Sequence, residues 1–129
     1  MPHDSIPPEY AGWWRILETS TWGAKHLDML GMAVLSFGTP YGDRLRMLAI
    51  LAHLHAKFVS NGVSFTWKGA SEYDPISGTG RARLGKDGRL EGTIKIADGD
   101  ESTFVAARIE EPSEPIPDPP SLRDKWRRW

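Results

Sequence analysis

The side chains able to do chemistry are few and scattered along the chain. Glu72 and Asp74 flank Tyr73 just ahead of Pro75, and two carboxylates held close together are what a general acid/base pair or a hard-cation site requires. Glu18 joins them if the first strand carries it to the same rim. Carboxylates in so turn-rich a segment also have a simpler use, capping turns or pairing with basic neighbours. His53 and His55 stand two apart. On a strand they share a face, a reachable metal-ligand spacing with no third ligand specified. Lys57 on the same side makes that face an exterior one, so a solvated pair is expected rather than a metal or haem site. Arg108 has two readings. Inside a barrel it would anchor a ligand carboxylate, and at a barrel end it would stack on an indole and bond to backbone carbonyls. The chain contains no Gly-X-Ser-X-Gly elbow, phosphate-binding loop or zinc-protease helix motif.

The elements that must position these residues are mostly strands. From Val63 to Arg108 short alternating runs are punctuated by Glu72-Tyr-Asp74, Ser77-Gly78-Thr-Gly80, Asp87-Gly88 and Gly99-Asp100, the rhythm of consecutive antiparallel hairpins. The spacing predicts strands over Val63–Lys68, Ile76–Leu84, Arg89–Ala97 and Ser102–Ile109. A first strand is expected over Tyr10–Thr19 with Gly12, Trp14, Ile16 and Glu18 on one face. A short helix between Thr19 and Gly31 would plug one barrel end, and Met32–Phe37 follows as a strand. The run Leu45–Val59 has helical propensity. A meander resuming at Asn61-Gly62 nevertheless needs a strand before it, which predicts two strands with an unmarked turn near Leu51 to His53. Eight strands result, enough to close a barrel. The expected fold is all-β, an eight-stranded antiparallel up-and-down barrel with one short helix.

Composition bounds the rest. At 129 residues the chain suits one domain, divided into a flexible lead-in at 1–9, a barrel at 10–109 and a tail at 110–129. A net charge of -1 offers no global attraction to nucleic acid, and the absence of cysteine removes disulfides and thiolate sites. No apolar run is long enough to span a membrane, so a cytoplasmic setting is expected. No cofactor is expected. The tail is rich in proline up to Pro120, which favours an extended conformation, and ends in Ser121-Leu-Arg-Asp-Lys-Trp126-Arg-Arg-Trp129. It is either solvated or docked on the barrel, on another subunit or on a protein partner.

Gly12-X-Trp14 with the late Arg108 resembles the calycin signature, shared by lipocalins and their relatives, in which a first-strand Trp packs at a barrel end against a last-strand Arg. A closer resemblance is to a family of small uncharacterised bacterial proteins. It is carried by Trp14-Arg15-Ile16 and Glu18, Trp22, Leu27-Asp28, Phe65-Thr-Trp67-Lys-Gly69, Glu72-Tyr-Asp74, Ser77-Gly78-X-Gly80 and Gly99-Asp100-X-Ser102-X-Phe104-X-Ala106-X-Arg108. Coverage runs from about residue 10 to 109. Lys68 departs from the family's usual acidic residue, and segment 40–60 is shorter and poorer in glycine. The resemblance implies a calycin-like, lipocalin-related architecture and no chemistry.

Alternation turns Ile76, Gly78, Gly80, Ala82 and Leu84 inward, as it does Val63, Phe65 and Trp67 on the preceding strand, with Trp14 the other large ring expected inside. Inward glycines leave room either for a ligand or for large rings. The leading functional expectation is binding of a small, partly apolar molecule, with Trp14, Phe65, Trp67 and Phe104 as apolar walls and Glu18, Glu72 and Arg108 as polar contacts. The alternative is a protein-interaction or self-association module, a homodimer included, with a filled barrel that uses its tail or an outer strand surface. An enzyme working through rim carboxylates comes third.

Overall fold

Alternation along the C-terminal half becomes an inside and an outside. A computed structural model describes residues 6–40 and 42–120. It contains strands β1 (Gly12–Thr19), β2 (Val34–Phe37), β3 (Arg44–Met47), β4 (Ile50–Val59), β5 (Gly62–Ser71), β6 (Asp74–Leu84), β7 (Leu90–Ile96) and β8 (Glu101–Ile109), with helix α1 (Ala24–Leu27) between β1 and β2. Each strand pairs antiparallel with the next, and β8 returns to β1 to close an eight-stranded barrel. Closure removes the free edge that an open meander would expose. Val63, Phe65, Trp67, Ala82, Leu90, Ile94, Phe104 and Ala106 are buried, while Arg81, Arg83, Glu91 and Lys95 face outward.

Both ends of the barrel are closed by side chains. Tyr10 lies 5.6 Å from Phe58, which lies 5.7 Å from Phe37, and the Tyr10 hydroxyl accepts a bond from the Leu84 amide at 3.3 Å. At the opposite end α1 inserts Leu27, which is 1% exposed. Four residues cannot hold a helix by propensity alone, so its position depends on that buried leucine and on the Leu48 amide, which donates to the Leu27 carbonyl at 2.9 Å. The helical plug expected from the sequence is present.

Two expectations need correction. The β3–β4 turn falls at Leu48-Ala49, between Met47 and Ile50, and not near Leu51 to His53. Leu48 takes a left-handed φ of 55° although it is neither Gly nor Asn. The turn is fixed by the Leu48–Leu27 bond and by the Glu72 amide, which donates to the Ala49 carbonyl at 3.2 Å. Tertiary contacts thus replace the residues that usually mark a tight turn. In β1 the register shifts between Ile16 and Glu18, because Ile16 pairs with Ala106 and Glu18 with Val105. Leu17 is the extra residue of a bulge, which reverses the facing of the residues after it. Trp14 and Ile16 stay inside, and Glu18 is exposed. The segment ending in Trp126 and Trp129 lies outside the described residues.

Candidate functional site

The interior is the expected site, and its glycines decide what it holds. Gly80 pairs directly with Phe65, and Gly78 with Trp67. A Cβ on Gly80 would lie within 3.0 Å of three Phe65 ring carbons, and one on Gly78 would lie inside 3.0 Å of both the Trp67 ring and the Lys95 carbonyl oxygen. Each ring therefore lies against the hollow its glycine provides. Trp67 is 1% and Phe65 3% exposed, and the Trp67 indole donates to the Thr79 carbonyl at 3.3 Å. Phe104, at 2% exposed, belongs to the same core. Burying each of these rings contributes roughly 2–3 kcal/mol to the fold, a use of the space that needs no ligand.

The polar candidates do not converge. Glu72 occupies the exposed turn between β5 and β6, with φ 59°, and Asp74 opens β6. Those positions and Glu18 belong to the end of the barrel near α1. Arg108 belongs to the other end. Its guanidinium carbon lies 4.5 Å from the Trp14 ring centroid, and its nitrogens donate to the Ala11 and Glu9 carbonyls. Trp14 is fully buried and donates its own indole hydrogen to the Tyr10 carbonyl at 3.0 Å. Arg108 thus clasps the segment 9–11 across the indole. Arg108→Ala is expected to lower stability by roughly 2–3 kcal/mol, from the stacked cation and two charge-assisted bonds. Urea unfolding checks this, and an unchanged midpoint would show that the clasp holds nothing.

Charged chemistry is gathered instead on the outer wall of β3 and β4. Arg44 pairs across the strands with His53, and its Nη1 lies 2.9 Å from His53 Nδ1. A guanidinium only donates, so Nδ1 accepts and the ring is neutral with its proton on Nε2. The other guanidinium nitrogen meets the Asp118 carboxylate at 2.5 Å. The proline-rich segment therefore folds back onto the barrel. Between the two lies a cleft of about 450 Å³, lined by Trp13, Thr39, Pro40, Gly42, Arg44 and residues 111–118. A second cleft of about 450 Å³ lies on the wall of β5–β7, between Val59 and Arg83.

Partial desolvation of the ring by the wall around it, and next the Arg44 charge, push His53 below the usual imidazole value although the residue remains exposed. Burial pushes the Asp43 carboxyl up, opposed by backbone bonds from Thr39 and Gly38. For His53 the unfolded chain takes up the proton more readily than the folded one. Its effect on stability is absent well above pH 6.5 and becomes a loss as pH falls below that value. Protonation also removes the acceptor that Arg44 uses. The difference in urea midpoint between wild type and His53→Gln is expected to shift toward the variant from pH 7 to pH 5. A pH-independent difference would contradict it.

His53 and His55 are exposed, as their spacing with Lys57 implied, and Leu54 between them is buried. Among the described residues no cluster of His, Asp or Glu is arranged to hold a metal ion, and no helix is long and apolar enough to cross a membrane. Sequence reasoning missed Trp13, Arg44 and Asp118 as partners. The available signal was charge: Arg44 and Arg46 share a face with His53 and His55, while residues 110–120 carry four acids and no base. Comparison with protein-family models, with curated proteins and with solved structures finds no match. What the geometry defines is a closed eight-stranded β-barrel with large rings packed inside and a tail-covered cleft outside.

Proposed function

We propose that this protein is a binding module with a filled barrel, whose recognition surface is the outer wall beneath the proline-rich tail. The observation that carries this reading is the seating of Phe65 and Trp67 in the hollows of Gly80 and Gly78. An interior already packed by its own rings leaves a ligand little to displace at low cost. The outer cleft has what recognition needs, an aromatic surface at Trp13, a fixed cation at Arg44 and about 450 Å³ of space. A second reading, capture of a small, partly apolar molecule, draws support from that same volume. In either case the barrel is a rigid frame, calycin-like in its Trp14–Arg108 pairing, and the chemistry is non-covalent.

Native beside denaturing mass spectrometry of the full-length protein tests this. The leading reading expects a mass with no added small molecule. A retained small-molecule mass that survives Arg44→Gln but is lost on Trp67→Ala would place the ligand inside and overturn it.

A further inference from the structure

Resting on that reading, we propose that the outer wall of β3 and β4 recognises an extended, acidic, proline-rich segment of a partner protein, and that residues 110–118 hold this site in cis as a resident competitor. Charge complementarity is the first ground. Glu110, Glu111, Glu114 and Asp118 are the only charged residues from 110 to 120, and two of them act on a wall whose charged side chains include Arg44 and Arg46. Asp118 pairs with Arg44, and the Glu114 charge reaches Arg46.

Preorganisation is the second ground. The Arg44 backbone amide donates to the buried Ser36 hydroxyl at 2.9 Å and His53 braces its guanidinium, two contacts made within the barrel, and with the strap in place the side chain is 11% exposed. The carboxylate it binds is 68% exposed and sits on a segment with no helix or strand. The cation is built into the barrel, whereas its anion arrives on an exchangeable strap. Fixing one side of a contact in advance lowers the entropy lost on binding.

The third ground is the fit. Pro112, Pro115 and Pro117 line the cleft opposite Trp13 and Pro40, yet about 450 Å³ stays open between strap and wall. An extended proline-rich segment docking against an aromatic ring is an established mode of peptide recognition. The resident strap matches that mode in composition and incompletely in shape. An ion pair whose carboxylate is solvated holds it only weakly, so a partner segment with closer fit displaces it.

The test uses the full-length chain and a synthetic peptide of residues 110–120, titrated by calorimetry. Glu114→Lys with Asp118→Lys weakens the strap. This double variant is expected to bind the peptide about tenfold or more tightly than wild type, a difference of about 1.4 kcal/mol. Adding Arg44→Glu, or Arg44→Gln if the first variant misfolds, is expected to abolish binding. A peptide with its acids replaced by Gln and Asn is expected to bind at least tenfold more weakly. No gain in the strap variant, equal binding of the neutral peptide, or binding that survives loss of Arg44 each overturns the proposal. Native mass spectrometry of the same strap variant keeps the two ideas separable, because a small molecule retained inside the barrel defeats the filled-barrel reading whatever the peptide does.

Discussion

Gly78→Ala is expected to destabilise the protein by about 3 kcal/mol or more, at the upper end of what overpacking a core does. The added methyl meets the Lys95 carbonyl oxygen as well as the Trp67 ring, both inside 3.0 Å. A ring can turn away, but the paired β6–β7 backbone cannot move without breaking the register around Gly78 and Ile96. Relieving the ring alone should therefore rescue little. Gly80 makes a useful contrast, since the atoms nearest its missing Cβ are three carbons of the Phe65 ring. Phe65→Leu should restore part of the stability lost in Gly80→Ala, while Trp67→Leu should do little for Gly78→Ala. Urea unfolding of the two double-mutant cycles measures both couplings. Equal rescue at the two sites would mean that the β6–β7 pair is looser than its register implies.

Trp67→Ala is the second large effect, an expected loss of about 3–5 kcal/mol for emptying a buried tryptophan site. The side chain is 1% exposed and lies over a glycine, which has no side chain of its own to fill the gap. A cavity lined by apolar groups stays dry and accepts small apolar guests. Free indole should raise the unfolding midpoint of Trp67→Ala and leave wild type unchanged. If indole stabilises wild type equally, the interior has spare room and the filled barrel is wrong. If the variant loses under about 1 kcal/mol, the ring contributes far less than complete burial implies.

How much of this was legible in the sequence depends on whether the signal was local. The β5–β8 hairpins carry their own turn residues and a period-two pattern, so their strands and inward faces could be read directly. Leu48-Ala49 carries no such signal, because a left-handed leucine there is held by Leu27 and by the Glu72 amide from two other elements. The same holds for Glu18. Alternation placed it inward, and a bulge at Leu17 turned it out. The inward glycines were recognised as space for a ligand or for rings, and only the cross-strand register showed which ring fills each hollow. Arg108 and Trp14 were legible as a pair because both are large, distinctive and placed on the first and last strands. The Arg44–Asp118 contact spans 74 residues, and the opposite charge of the two segments was a signal too general to name the pair.

The central claim, a filled interior with recognition outside, is tested most directly by nuclear magnetic resonance of the indole N–H groups of Trp67 and Trp13. Decanoate, a small and partly apolar probe, is titrated into the full-length protein. The account predicts that the Trp67 resonance neither shifts nor broadens, and that any saturable change falls on Trp13 beside the cleft. A saturable shift of Trp67 with Trp13 unmoved would contradict it, because the probe would then have entered the barrel.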